Sequence, residues 1–242
     1  MKYLKFNETG SKNYIVFLHG WGASKNAFLW TQEYLSDFAL VYVDFPGFGE
    51  SDEPDKPWTV FDYVQDLKNL LDEFDIEELI LVGHSFGGRV AIKFSFLYQN
   101  DYLKFGLCLV DSAGLKPRRS LIYYYKIFKF KVVKKIAKKL KNYENIISKY
   151  GSNDYKVLSS IMKDTFKKVV QEDLSYDAKF ITKQAIIVWG RNDRDTKLYM
   201  AKKLSRLMVN SRLFVLEDAG HFSYLDKPQE FLIILDTFVR NL

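Results

Sequence analysis

A single cysteine stands in the 242 residues, so no intramolecular disulfide can form. Cys108 sits in the apolar run Leu107-Cys108-Leu109-Val110 and reads as a small buried core thiol. No stretch approaches the ~18 consecutive apolar residues of a membrane span. Met1-Lys2-Tyr3-Leu4-Lys5 has no signal-peptide core, so the expected location is cytoplasmic. Internal repeats and low-complexity linkers are absent too. Histidine is scarce: His19, His84 and His221 are the only three, so any chemistry that needs an imidazole has few candidates. Acid is missing from one long stretch. From Lys116 to Lys141 the charged residues are all basic (Lys116, Arg118, Arg119, Lys126, Lys129, Lys131, Lys134, Lys135, Lys138, Lys139 and Lys141).

What is present is ordinary for a folded domain. Apolar residues make up 48% and charged residues 27%, which excludes disordered and fibrous classes. A chain of this length buries most of its apolar surface without staples. The formal net charge is +6, and outside the basic block acids and bases roughly balance. A local feature, not a uniformly basic nucleic-acid surface, accounts for the excess.

Short β-branched runs alternate with helical patterns, the signature of a mostly parallel sheet covered by helices on both faces. The expected strands are Tyr14–Leu18, Ala39–Asp44, Leu79–Val82, Gly106–Val110, Ala185–Trp189 and Arg212–Leu216, with Tyr3–Phe6 as a short edge strand. Most are continuously apolar, as strands buried on both faces should be. Helices are expected from a Thr59–Asp62 capping box to about Phe74, and over Phe86–Tyr98, Lys197–Leu207 and Pro228–Val239. About seventy residues after Val110 contain no convincing strand. Residues 115–179 therefore read as a helical insertion between two parts of one core, 1–114 and 180–242.

The sharpest chemical signal is Gly83-His84-Ser85-Phe86-Gly87, a G-x-S-x-G pattern between a strand and a helix. The glycines allow a very tight turn that holds a nucleophile on strained backbone, and side chains at Gly83 or Gly87 would collide with neighbouring chain. Serine attacks only when a base removes its proton. His221, in Asp218-Ala219-Gly220-His221-Phe222 after the last strand, is that base by elimination and position. His84 within the elbow is expected to point away, and His19 to hold its own loop. A carboxylate must orient the base. Asp193 in Gly190-Arg191-Asn192-Asp193 is the first candidate, with Asp195 and Asp111 as alternatives; Asp218 is too near His221 in the chain to serve. The amides of Phe86 and of Trp21, in His19-Gly20-Trp21-Gly22, are the expected oxyanion donors.

In their order along the chain, His19-Gly20-Trp21-Gly22, Asp44-Phe45-Pro46-Gly47-Phe48-Gly49-Glu50-Ser51-Asp52, the Ser85 elbow, Gly190-Arg191-Asn192-Asp193 and Gly220-His221 resemble the serine hydrolases of the α/β-hydrolase fold, over nearly the full length. The resemblance implies a cofactor-free and metal-free Ser–His–Asp mechanism through an acyl-enzyme, with residues 115–179 as a helical lid. Ester cleavage is the expected activity. Thioester, acyl-carrier or C–C cleavage is the enzymatic alternative, and a non-catalytic binding protein the alternative of another class. Ser85 stands where haloalkane dehalogenases carry an aspartate. Within the lid, Tyr123, Ile127, Phe130, Val133, Ile136, Ala137 and Leu140 recur at helical spacing among lysines. Such a face reads first as a lid helix with its apolar stripe over the pocket and its lysines in water; the sharper reading is that it attracts an anionic carrier protein, a charged substrate or the membrane surface.

Overall fold

The computed structural model describes residues 1–7, 10–117 and 158–242, together with Tyr125, Phe128, Lys129 and Val132. Seven strands form one sheet: β1 (Lys2–Phe6), β2 (Asn13–Leu18), β3 (Ala39–Asp44), β4 (Glu78–His84), β5 (Lys104–Val110), β6 (Gln184–Gly190) and β7 (Ser211–Leu216). Their spatial order is β1-β3-β2-β4-β5-β6-β7. β1 runs antiparallel to β3 and every other pair is parallel. The helices among the described residues are α1 (Val60–Leu71), α2 (Phe86–Tyr98), α3 (Ser160–Gln171), α4 (Ser175–Lys179), α5 (Leu198–Leu207), α6 (Ser223–Asp226) and α7 (Pro228–Arg240).

Two apolar layers follow from the period-two alternation of the strands. Val16, Leu18, Val41, Leu81, Leu109 and Trp189 face one side, under α1, α2 and α5; Ile15, Phe17, Tyr42, Val82, Val110 and Val188 face the other, under α7. Burial on both faces explains the continuous apolar runs, and Cys108 lies fully buried in the second layer. The capping box before α1 is complete: Thr59 N–H donates to Asp62 Oδ2 at 2.6 Å while Asp62 N–H donates to Thr59 Oγ1 at 3.4 Å.

Two elements go beyond the sequence expectations. A 3-10 helix over Lys25–Glu33 is held by tertiary contacts rather than by periodicity. Lys25 donates to the buried Asp44 through both its amide and its ammonium, each at 2.7 Å, and Phe28 stacks on Tyr224 at 4.4 Å. α6 is four residues long, too short to leave a helical repeat. The basic amphipathic helix expected around Tyr123–Leu140 lies outside the described residues, apart from the four isolated positions. The described end of the expected insertion is helical: α3 buries Met162, Thr165 and Val169, and α4 follows between Leu174 and Ile181, both in the core layer of α2 and α5.

The strand order matters for the site. The chain leaves β2 outward to β3 and then returns across it to β4, so the order reverses between β2 and β4. Ligands of open α/β sheets bind at the carboxyl ends of the strands flanking such a reversal. Those ends carry His19-Gly20-Trp21 and Ser85. Among the described residues no helix is long and apolar enough to cross a membrane.

Candidate active site

Ser85 lies between β4 and α2 with φ 49° and ψ −109°, a left-handed backbone that costs a non-glycine residue about 1–3 kcal/mol. The surrounding glycines make room for the turn. A Cβ at Gly87 would lie 2.0 Å from the Leu18 carbonyl oxygen, and one at Gly83 would lie 2.7 Å from the Gly87 carbonyl oxygen. The same close approach brings the β2 loop against the elbow. A Cβ at Gly20 would be 3.4 Å from Ser85 Cβ and 2.8 Å from His84 Nδ1.

His221 arrives from the loop after β7. That loop packs against the end of β6, where a Cβ at Gly190 would strike the Gly220 carbonyl oxygen at 2.0 Å. Asn192 N–H donates to the Ala219 carbonyl at 2.9 Å, and Gly220 N–H to Asp226 Oδ2 at 2.7 Å. His221 Nε2 is thereby held 3.0 Å from Ser85 Oγ, and Nδ1 lies 2.9 Å from Asp193 Oδ2. With the ring proton on Nδ1, Nε2 is free to accept from the serine hydroxyl.

Of the three candidate acids, Asp193 meets the imidazole. Its Oδ1 accepts the amides of Asp195 and Thr196 at 2.8 and 2.9 Å, and Thr196 Oγ1 lies 2.6 Å from Oδ2. Burial raises the Asp193 carboxyl, but hydrogen bonds from His221 and Thr196 outweigh it and hold the group below the ordinary carboxylate value. Burial likewise lowers His221, while the hydrogen bond and charge of Asp193, helped by Asp111 and Asp195, leave it above the ordinary histidine value. Asp195 is exposed. Asp111 is fully buried but bonds elsewhere, to the amides of Gly190 and Ser223 at 2.8 and 3.0 Å.

The two remaining histidines stay neutral. His19 Nδ1–H donates to the Gly20 carbonyl at 2.7 Å and Nε2 accepts from Phe45 N–H at 3.1 Å, so the ring ties the β2 loop to the end of β3. Burial lowers it to about 4. The His84 ring lies 5.0 Å from that of His221, and Nε2–H donates to the His221 carbonyl at 2.8 Å. The tight turn presses the residue before Ser85 against the next loop, which a strand pattern cannot reveal. Burial lowers His84 to about 3.

Among the described residues neither the Trp21 nor the Phe86 amide donates to another protein atom. The Trp21 ring meets Phe48, Phe86 and Phe166 at 4.8, 5.3 and 5.1 Å, so α3 closes an aromatic wall beside the elbow. Sequence reasoning missed Thr196 and Phe166. An acid followed three residues later by threonine was the only trace of the first, and Phe166 left none.

A sequence model of the alpha/beta hydrolase family matches residues 15–232. The chain belongs to the alpha/beta hydrolase family. Within it, an AB hydrolase superfamily protein of Bacillus subtilis is 24% identical, over 94% of this chain and 91% of that protein. A 2-hydroxy-6-oxo-6-phenylhexa-2,4-dienoate hydrolase of Comamonas testosteroni is 23% identical, over 98% of this chain and 91% of the relative. The solved esterase of Exiguobacterium antarcticum superposes with a TM-score of 0.75 at 21% identity, covering 98% of this chain and 94% of that one. This alpha/beta hydrolase thus shares its whole fold with hydrolases of different named substrates.

Proposed function

We propose that the protein hydrolyses carboxylic esters with a medium-sized, largely apolar acyl or alcohol part. One observation carries this reading: His221 bridges Ser85 and Asp193 at 3.0 and 2.9 Å. Ser85 Oγ attacks the ester carbonyl as its proton passes to His221 Nε2, and Asp193 stabilises the imidazolium. The carbonyl oxygen takes up negative charge between the Trp21 and Phe86 amides, each such donor contributing about 3 kcal/mol. Collapse of the tetrahedral adduct expels the alcohol, which receives the proton from His221. Water then attacks the acyl-serine by the same route and releases the acid. The aromatic wall of Trp21, Phe48 and Phe166 supports an apolar group beside the carbonyl. Ser85→Ala is the test: hydrolysis of a short p-nitrophenyl ester and labelling by a fluorophosphonate probe both vanish. Full hydrolysis by that variant at saturating substrate overturns the reading.

A second reading, C–C cleavage by the same groups, is favoured by the dienoate hydrolase among the relatives. It predicts turnover of a vinylogous 1,5-diketone faster than of simple esters.

A further inference from the structure

Asp111 is a fully buried acid that the mechanism above does not use. It follows the last residue of β5 with φ 43°, a left-handed conformation that aspartate tolerates better than most residues but still at some cost. Its bonds reach the two segments that carry Asp193 and His221. Oδ1 accepts from Gly190 N–H at 2.8 Å, at the root of the turn that carries Asp193. Oδ2 accepts from Ser223 N–H at 3.0 Å, two residues beyond His221. Its carbonyl lies 2.9 Å from Thr196 Oγ1, the hydroxyl that also meets Asp193. On either side, Ser85 N–H donates to the Val110 carbonyl at 3.1 Å and Ala113 N–H to the Ser85 carbonyl at 2.9 Å.

From these contacts we infer that Asp111 is a positioning residue, whose single carboxylate clips the acid-bearing turn to the base-bearing loop and sets their spacing relative to Ser85. The inference rests on the Ser85–His221–Asp193 reading. Two amides gripped by one rigid carboxylate cannot slide past each other, and a slip of about 1 Å between reacting groups costs about a hundredfold in rate. The charged and titratable groups that face Asp111 are Asp193, His221 and Tyr224. No lysine or arginine among the described residues pairs with it. Burial, with the Asp193 charge, accordingly pushes its carboxyl up to about 7 against the two amides. When ionised it helps to keep His221 basic.

Asp111→Asn tests this cleanly, because asparagine keeps the left-handed backbone and the bond to Gly190 while its NH2 opposes the Ser223 amide. The expected result is a folded protein whose kcat on the p-nitrophenyl ester falls about 10- to 100-fold with KM little changed. The acidic limb of its pH profile moves to lower pH. Folded D111N with unchanged kcat and an unmoved limb overturns the inference, as does a loss traceable wholly to a lowered Tm with the limb unmoved. If D111N does not fold, Thr196→Val decides: it deletes the hydroxyl between the Asp111 carbonyl and Asp193, and must lower kcat with Thr196→Ser restoring it. Equal activity of T196V and wild type then overturns the inference. Ser85→Ala, assayed alongside, separates failure of this inference from failure of the triad reading.

Discussion

His84 and His221 lie with ring centres 5.0 Å apart, yet their surroundings drive them in opposite directions. His221 faces Asp193, with Asp111 and Asp195 behind it, and is held above the ordinary histidine value. Among the described residues His84 has no carboxylate partner and its Nδ1, buried beside Gly20, has no hydrogen bond; burial lowers the ring to about 3. The same imidazole is paired with a carboxylate in one place and is a neutral strut in the other. What separates the roles is the reach of a carboxylate, since burial acts on both rings in the same sense.

The comparison breaks most sharply by mutation of each ring. His221→Ala is expected to lower kcat about a thousandfold or more, whereas His84→Gln, which keeps a donor for the His221 carbonyl, lowers it about tenfold or less. Similar losses in steady-state assays of both variants would refute the division of roles. Gly20→Ala places a methyl 2.8 Å from His84 Nδ1 and should destabilise the protein by about 1–3 kcal/mol, read from urea unfolding.

The pH dependence sharpens the contrast. His221 is protonated up to a pH above its ordinary value, so kcat/KM falls on acidification from a limb lying above about 6.5. Asp193→Asn removes the cause and moves the residual limb downward. For stability the buried rings act with the other sign. His19 and His84 have folded values of about 4 and about 3, so below about 6.5 the unfolded chain binds protons that the folded chain refuses. Their contribution is complete above about 6.5 and is lost as pH falls, at about 1.4 kcal/mol per pH unit for each ring. Asp111, pushed up to about 7, works in the opposite sense over part of that range. The measurement is therefore the difference between wild type and His19→Gln, which should show the flatter decline in Tm between pH 6.5 and 4.

The smallest effect concerns the basic stretch from Lys116 to Lys141. We propose that it attracts an acidic partner presenting the substrate. In that case kcat/KM on an acyl chain attached to an acidic carrier falls as salt is raised, while kcat/KM on a small neutral ester does not. Salt-independent rates on both would remove this proposal.

Much of the molecule was legible before any coordinates. The expected strands lie within β1 to β7, because burial on both faces forces continuous apolar runs and glycines punctuate their ends. The meeting of Ser85 and His221 was legible because a tight turn needs Gly83 and Gly87 and few histidines compete. The 3-10 helix was not, since Lys25 and Phe28 are held by Asp44 and Tyr224, distant in the chain. The sequence ranked Asp193 ahead of Asp195 and Asp111 but could not fix the choice, since all three lie near strand ends on the same side of the sheet.

By itself, then, the sequence determined the layered sheet and the tight turn at Ser85, because periodicity and glycine sterics are local. Only the tertiary structure decided which carboxylate meets His221, that His84 braces that loop from below, and that Asp111 grips the two neighbouring segments. Those outcomes depend on distances of about 3 Å between segments far apart in the chain, and no local pattern encodes such distances.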